Sequence, residues 1–456
     1  MKGEFQLELN EYIKAKYDGQ SDWFVEFVNE PSNQMNKQDI HSKKEYLDGS
    51  HVILNSPSFH YNNKLYNPRK LVVSYAKTLL NFQKSFLLSK SVVYTGKERV
   101  VKAINEINRK GKMDRINVKI LHNLLSYGEV YEYIYISDGK IKSRVIDSEE
   151  GYPLFDHNNE LMAFVQHYIN DGISYYVVYE KDIVREYTNE GGELHLIGEY
   201  SNLSGLPVIY KTDNELSHTK GKSELDDWIY ILDEIENLLS KFTDTVYKNM
   251  NPIPIAIGQE LKGNGIASNI VGMGIQLDDG SDFKFASIQL DVEAFNALYD
   301  KLIQTLFDIS STPNVAMNKA EIANVSETSI RILYSLANVK AKINENYLRD
   351  GLEERLNKYR VLLGYLGKNF TDNEFETLDI QFSYDMPSND QEIINNLKTL
   401  YDMKSISLET LLDRSPYIND TQMEMERLHK TNDDKHINMN IDKNGTDIQN
   451  VTLSGK

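Results

Sequence analysis

Apolar residues in the middle of the chain recur in steps that alternate between three and four. Leu225, Trp228, Leu232, Ile235, Leu239, Phe242 and Val246 form one such row; Val292, Phe295, Tyr299, Leu302, Leu306 and Ile309 form another. That spacing places each set on a narrow stripe of a helix suited to packing on other long helices. The first row predicts a helix opening at Ser223, with Asp226 in the position of a capping-box acid. Between the rows, 251–290 holds PIPIAIG, NIVGMGIQL and DFKFASIQL, short β-type runs parted by Gly263, Gly265 and the Asp279-Gly280 turn. A polar loop at 312–325 follows. Ser326 then caps a helical pattern from about Glu327 to Leu363, in which Gly351 is a candidate bend.

Upstream, 4–17 and 35–47 read as short polar helices. A stronger pattern starts after Asn67-Pro68, with proline suited to a first helical turn, and runs through Leu71, Val72, Tyr75, Leu79, Phe82 and Phe86. Another covers about 113–126 and stops at Gly128. From Gly128 to Tyr210 the period changes to two, with hairpin signals at Asp138-Gly139, Asp171-Gly172 and Gly191-Gly192. This predicts an antiparallel meander rich in tyrosine. Its tyrosine stripes suit base stacking or, more simply, a half-buried sheet face.

Residues 201–222 form a connector punctuated by Gly and Pro. TLDIQFSYDM (377–386) reads as a strand ended by Pro387, followed by helices at 389–403, 407–413 and 420–430. From Thr431 on, few large apolar residues remain, and a disordered tail is expected. The whole is of α+β class.

A length of 456 residues exceeds a single core and predicts roughly two to four structural units. The chain has no cysteine, which excludes disulfides and thiolate metal sites and fits a reducing compartment. No run reaches the roughly 18 apolar residues of a membrane span, and MKGEFQLELNEY lacks the apolar core of a secretory signal. Net charge is −18, yet residues 61–120 hold 14 Lys and Arg against 3 Asp and Glu. This basic segment fits nucleic acid, an acidic partner, or the solvated face of amphipathic helices. Residues 224–250 carry seven acids against Lys241 and Lys248, which reads as a solvated or channel-facing acidic surface.

Catalytic signatures are missing. Gly221-Lys222-Ser223 matches the end of a phosphate-binding loop, but Leu216 stands where its first glycine belongs. Gly263-Asn264-Gly265 and Gly272-Met273-Gly274 read as turns. The histidines are scattered, with His429 and His436 near the C-terminal end, and no G-x-S-x-G elbow occurs. Acid pairs such as Asp226-Asp227, Asp233-Glu234 and Asp278-Asp279 are the remaining candidates for a magnesium site. The expectation is a protein with no catalytic residue, metal or cofactor.

Four segments in this order carry a resemblance: NPRKLVVSYAKTLLNFQKSFLLSKSVVYTG (67–96), YGEVYEYIYISDGK (127–140), GLPVIYKTDNELSHTKGKSELDDWIYILDEIENLLSKFTD (205–244) and VSETSIRILYSLANVKAKINENYLRDGLEERL (325–356). Over roughly 60–430 the chain resembles the portal proteins of tailed double-stranded-DNA bacteriophages, especially of long-tailed phages of Gram-positive hosts. The small-residue pair that opens the last motif is Ser326-Glu327 here, without the family's glycine.

The resemblance implies a ring, usually of twelve subunits, at one capsid vertex, assembled in the host cytoplasm, with DNA passing through its central channel. It implies a wing at 1–222, stem helices at 223–250 and 291–311, and a clip at 251–290. A tunnel loop at 312–325, a long helix and return strand at 326–387, a crown at 388–430 and a tail at 431–456 complete it. Asn314, Val315, Ala316, Met317, Asn318 and Lys319 then face DNA, and the two apolar rows form the stem seam. Implied partners are further copies of the chain, the packaging motor (terminase large subunit), a head-completion or adaptor protein, and the major capsid and scaffolding proteins, with no membrane. Two other readings stand beside it: a metal-dependent nucleic-acid enzyme, and a monomeric scaffold or adaptor.

Overall fold

The computed structural model describes residues 9–61, 64–250, 253–258, 279–286, 290–314, 327–384, 390–418 and most of 421–428. It divides into two units. One comprises the chain up to Asn314 with Leu336–Asp385, and the other comprises Val315–Ser335 with the chain from Met386 on.

The first unit opens with α1 (Leu9–Lys16), α2 (Trp23–Val28) and α3 (Pro31–Asp48), then a hairpin of β1 (Phe59–Tyr61) and β2 (Lys64–Tyr66). α4 (Tyr75–Leu87), β3 (Val93–Thr95), α5 (Glu98–Gly111) and α6 (Met113–Tyr127) lead into the sheets. Those use β4 (Glu129–Ser137), β5 (Lys140–Ile146), β6 (Gly151–Phe155), β7 (Leu161–Asn170), β8 (Ile173–Tyr179), β9 (Ile183–Thr188), β10 (His195–Ser201) and β11 (Val208–Lys211). α7 (Leu225–Asn249) and α8 (Val292–Ile309) bracket β12 (Ile253–Ile257) and β13 (Asp282–Ala286). α9 (Glu327–Leu333) and the first residue of α10 (Ser335–Tyr365) belong to the second unit. The rest of α10, α11 (Asp372–Phe375) and β14 (Asp379–Gln381) return to the first. α12 (Asp390–Asp402) and α13 (Leu408–Asp413) lie in the second unit.

The region of period two forms two sheets rather than one meander. β6 to β10 make a five-stranded antiparallel sheet, while β4 pairs with β5 and β11 in a separate three-stranded sheet. Alternation decides what each face meets. On the larger sheet Tyr152, Leu154, Ala163, Val165, Tyr176 and Val178 pack on α1 and α2; Phe164, Val177, Tyr179 and Val184 meet Tyr131 and Tyr133 of β4. The tyrosine stripes are therefore largely buried sheet faces, not stacking platforms. On β4 the even positions Val130 and Ile134 turn instead to the helical core built from α4 to α8 and α10.

Four further expectations change. Residues 67–74 are not the start of a helix: α4 begins at Tyr75, because the amides of Arg69, Leu71 and Val73 are bound elsewhere. The long pattern breaks at Tyr334 between α9 and α10, where the Ser335 hydroxyl donates to Ile332 O at 2.7 Å and competes with the helical ladder. α10 runs through Gly351 unbroken; a Cβ there would lie 2.2 Å from the Tyr210 ring, so the glycine serves packing, not bending. Of the strand expected at 377–386, the described residues to 384 hold only β14, which pairs with β3; 385 and 386 lie outside them. The tail from Thr431 lies outside the described residues.

Candidate functional site

α7 starts where α6 ends. The Ser223 amide donates to Asp226 Oδ2 (3.1 Å), the half of a capping box that the sequence announces, and Ser223 Oγ donates to Ser126 O (2.6 Å). The Glu224 amide bonds Leu125 O (3.0 Å). Gly221 is needed here, since a Cβ on it would stand 1.9 Å from Gly128 O. Its Gly-Lys-Ser sequence thus belongs to a helix junction and not to a phosphate loop.

Burial along the paired helices is graded. Leu225, Trp228, Leu232 and Ile235 of α7, with Ile303 and Leu306 of α8, are buried in the helical core. Towards the insert, Leu239, Phe242, Val246, Phe295, Tyr299 and Leu302 are half-buried, and Val292 is 48% exposed. There the two helices hold mainly each other: the Phe242 and Phe295 rings stack with centroids 3.7 Å apart. The Tyr299 hydroxyl lies 3.0 Å from that of Tyr75; burial, and then that bond, push Tyr299 up to about 12. Apolar side chains also face outward, with Tyr230 84% exposed and Met250, Leu298 and Ile309 exposed as well.

At the far end β12 and β13 pair antiparallel, Ile253 opposite Ala286 and Ile257 opposite Asp282. Among the described residues they form a sheet of two strands, which is marginal in water by itself. The segments between them, and most of 312–325 including Val315, Ala316, Met317, Asn318 and Lys319, lie outside the described residues; Asn314 lies within them.

The acidic surface expected on α7 is mostly turned onto the chain itself. Glu224 pairs with Lys340 (2.5 Å), Asp226 with Lys43 (2.8 Å) and Asp227 with Lys222 (3.0 Å). Asp233 and Glu236 sit against His51 and Tyr46. Glu236 Oε1 lies 2.6 Å from His51 Nδ1, and burial raises both carboxyls above their ordinary range. Asp244 accepts the Arg69 amide (3.2 Å). Glu234 alone of the seven has no partner among the described residues.

One arrangement here escaped the sequence reading. Glu236, Ser240 and Asp244, at i, i+4 and i+8 on α7, accept the amides of Val73 (2.8 Å), Leu71 (2.9 Å) and Arg69 (3.2 Å). Four helical residues rise about 6 Å and two extended residues about 6.8 Å, so the repeats match. An extended strap therefore runs antiparallel along the helix, and the Arg69 guanidinium closes it over the Tyr247 ring, 3.6 Å away. Hydrogen-bonding side chains four apart on one face were the available signal.

No group of three or more metal-binding side chains occurs among the described residues. Asp279 is exposed in its turn, and Asp278 is outside them. None of the helices described is long and apolar enough to cross a membrane.

A family profile described as "Phage portal protein, SPP1 Gp6-like" matches residues 30–436. No curated protein matches the chain. Among solved structures, a chain of "Neck of empty GTA particle computed with C6 symmetry" is 11% identical, with 76% of this chain and 88% of that one covered at a TM-score of 0.45. One from "Virion of native gene transfer agent (GTA) particle" is 11% identical, with 73% and 87% covered at 0.44. One from "Neck of native GTA particle computed with C12 symmetry" is 11% identical, with 74% and 87% covered at 0.46.

Proposed function

The chain belongs to the SPP1 Gp6-like family of phage portal proteins, and from that membership we propose that its copies stand side by side in a ring at one capsid vertex. Double-stranded DNA passes through the channel of that ring during packaging and ejection. The family match over 30–436 carries this reading. Portal proteins are structural rather than catalytic parts of the virion, and the chemistry here is that of assembly.

In this reading α7 and α8 are the stem, and the β12–β13 insert is the clip. Outward apolar groups such as Tyr230 and Leu298, and a hairpin too small to be stable unaided, gain partners from neighbouring copies. Head-to-tail contacts of one patch on a different patch close into rings when the rotation permits. The clip rim then docks the packaging motor or a head-completion protein, and the capsid and scaffolding proteins surround the wing. Residues 314–319 line the constriction, with Lys319 repeated around it. DNA slides best where few phosphates are held, because each neutralised phosphate strengthens binding.

Native mass spectrometry and negative-stain microscopy of the purified chain test this. A closed particle of about a dozen 52.6 kDa chains with a central hole is expected, or a monomer that forms it on concentration. A species that stays monomeric at every concentration would overturn the reading.

A further inference from the structure

We propose that the solvent side of α5 and α6 binds the phosphate backbone of duplex DNA, through residues other than those of the stem helices α7 and α8. Lys97, Lys102, Arg109, Lys112, Arg115 and Lys119 are all exposed there. None of the six forms an ion pair among the described residues. Their neighbours are spent: Arg99 is held by Glu374 (3.3 Å) and Asn369 O (3.0 Å), and Lys110 by Glu106 (2.5 Å). Glu106 also takes Lys368 (3.1 Å), and Asp114 accepts the Ser91 hydroxyl (2.9 Å). Among the described residues, Glu98 is the one acid of α5 and α6 left without a partner.

Lys102 and Arg109 are two helical turns apart on α5, about 10 Å, and Arg115 and Lys119 one turn apart on α6, about 6 Å. A groove of about 550 Å³ runs along α5, lined by Lys102, Asn105 and Arg109 together with Glu98, Val101 and Glu106. The surface favours phosphates over a folded acidic partner. Protein interfaces centre on apolar and aromatic groups, whereas Val118 is the sole apolar residue among the exposed positions of α5 and α6. Phosphate contacts come from Lys and Arg with neutral hydrogen-bond donors beside them, and need no apolar centre. In a chain of net charge −18, the field attracts a polyanion at this segment and opposes it elsewhere.

The test is fluorescence anisotropy of the full chain with a labelled duplex across a salt series. Contacts to about four phosphates give a log–log salt slope near −4. Lys102→Glu with Arg109→Glu, and separately Arg115→Glu with Lys119→Glu, should each weaken binding at least tenfold, with unchanged melting temperature and unchanged native mass. Lys181→Glu, an exposed change between β8 and β9, should bind the duplex as the unaltered chain does. The proposal falls if both double variants bind normally, if Lys181→Glu weakens binding as much as they do, if the duplex does not bind at low salt, or if polyglutamate of equal charge binds more tightly. The native mass of the same samples reports on the ring independently.

Discussion

Arg355 Nε lies 2.8 Å from Glu132 Oε2, and both side chains are buried. Glu132 occupies an even position of β4, the face turned to the helical core, and Arg355 descends onto it from α10. Asn117 Oδ1 takes a second guanidinium hydrogen (2.6 Å), while the Tyr210 hydroxyl donates to Glu132 Oε2 (2.7 Å). The pair fixes the long helix against the three-stranded sheet at one register.

Removing one partner strands the other charge without water, so Arg355→Met is expected to cost about 3 to 5 kcal/mol. Glu132→Leu combined with Arg355→Met should cost clearly less than the two single changes added together. Urea denaturation of the four chains measures this, and strict additivity would refute the coupling.

Gly351→Ala should destabilise the chain although alanine is the better helix former by about 1 kcal/mol. The new methyl meets the buried Tyr210 ring, and overpacking of this kind costs about 1 to 3 kcal/mol. Gly351→Ala combined with Tyr210→Leu should recover part of the loss. A melting temperature that rises in the single variant would contradict the packing role.

Ser240→Ala leaves the Leu71 amide without its acceptor, for a loss of about 1 kcal/mol or somewhat more. The sharper readout is local. Amide exchange at Leu71 and Val73, and tryptic cleavage after Arg69 or Lys70, should accelerate while exchange in the β7–β8 pair stays slow. Unchanged exchange along the strap would count against it.

Glu345 carries an acid-sensitive contribution to stability. Burial raises its carboxyl, but bonds from Lys342, Tyr384 and Arg349 outweigh that and hold it below the ordinary 4.5. A depressed folded value stabilises above the unfolded value and is lost as pH falls through the folded one. Glu345→Gln should therefore melt below the unaltered chain at pH 7, and the gap should close on acidification below about 4.5. A gap independent of pH would exclude the mechanism.

Lys319→Glu is expected to alter DNA packaging while leaving ring formation intact. Packaging assays beside native mass decide it: normal packaging, or loss of the ring itself, would remove Lys319 from the channel proposal.

Local chemistry made much of this protein readable from its residues. The rows at 225–246 and 292–309 announced α7 and α8 because a helix repeats every 3.6 residues. Period-two runs with Asp-Gly turns announced the strands, and the order of the motifs announced the family. Tertiary structure decided what those patterns meet. It split the strands into two sheets, turned residues 67–74 from a helix start into a strap, and gave most of the α7 acids partners from α3, α10 and the connector. It also converted Gly351 from a bend into a seat for Tyr210. The reason is physical: periodicity and turn propensity act over a few neighbouring residues, whereas a charge or an amide is satisfied by whichever group the fold brings near, often more than a hundred positions away.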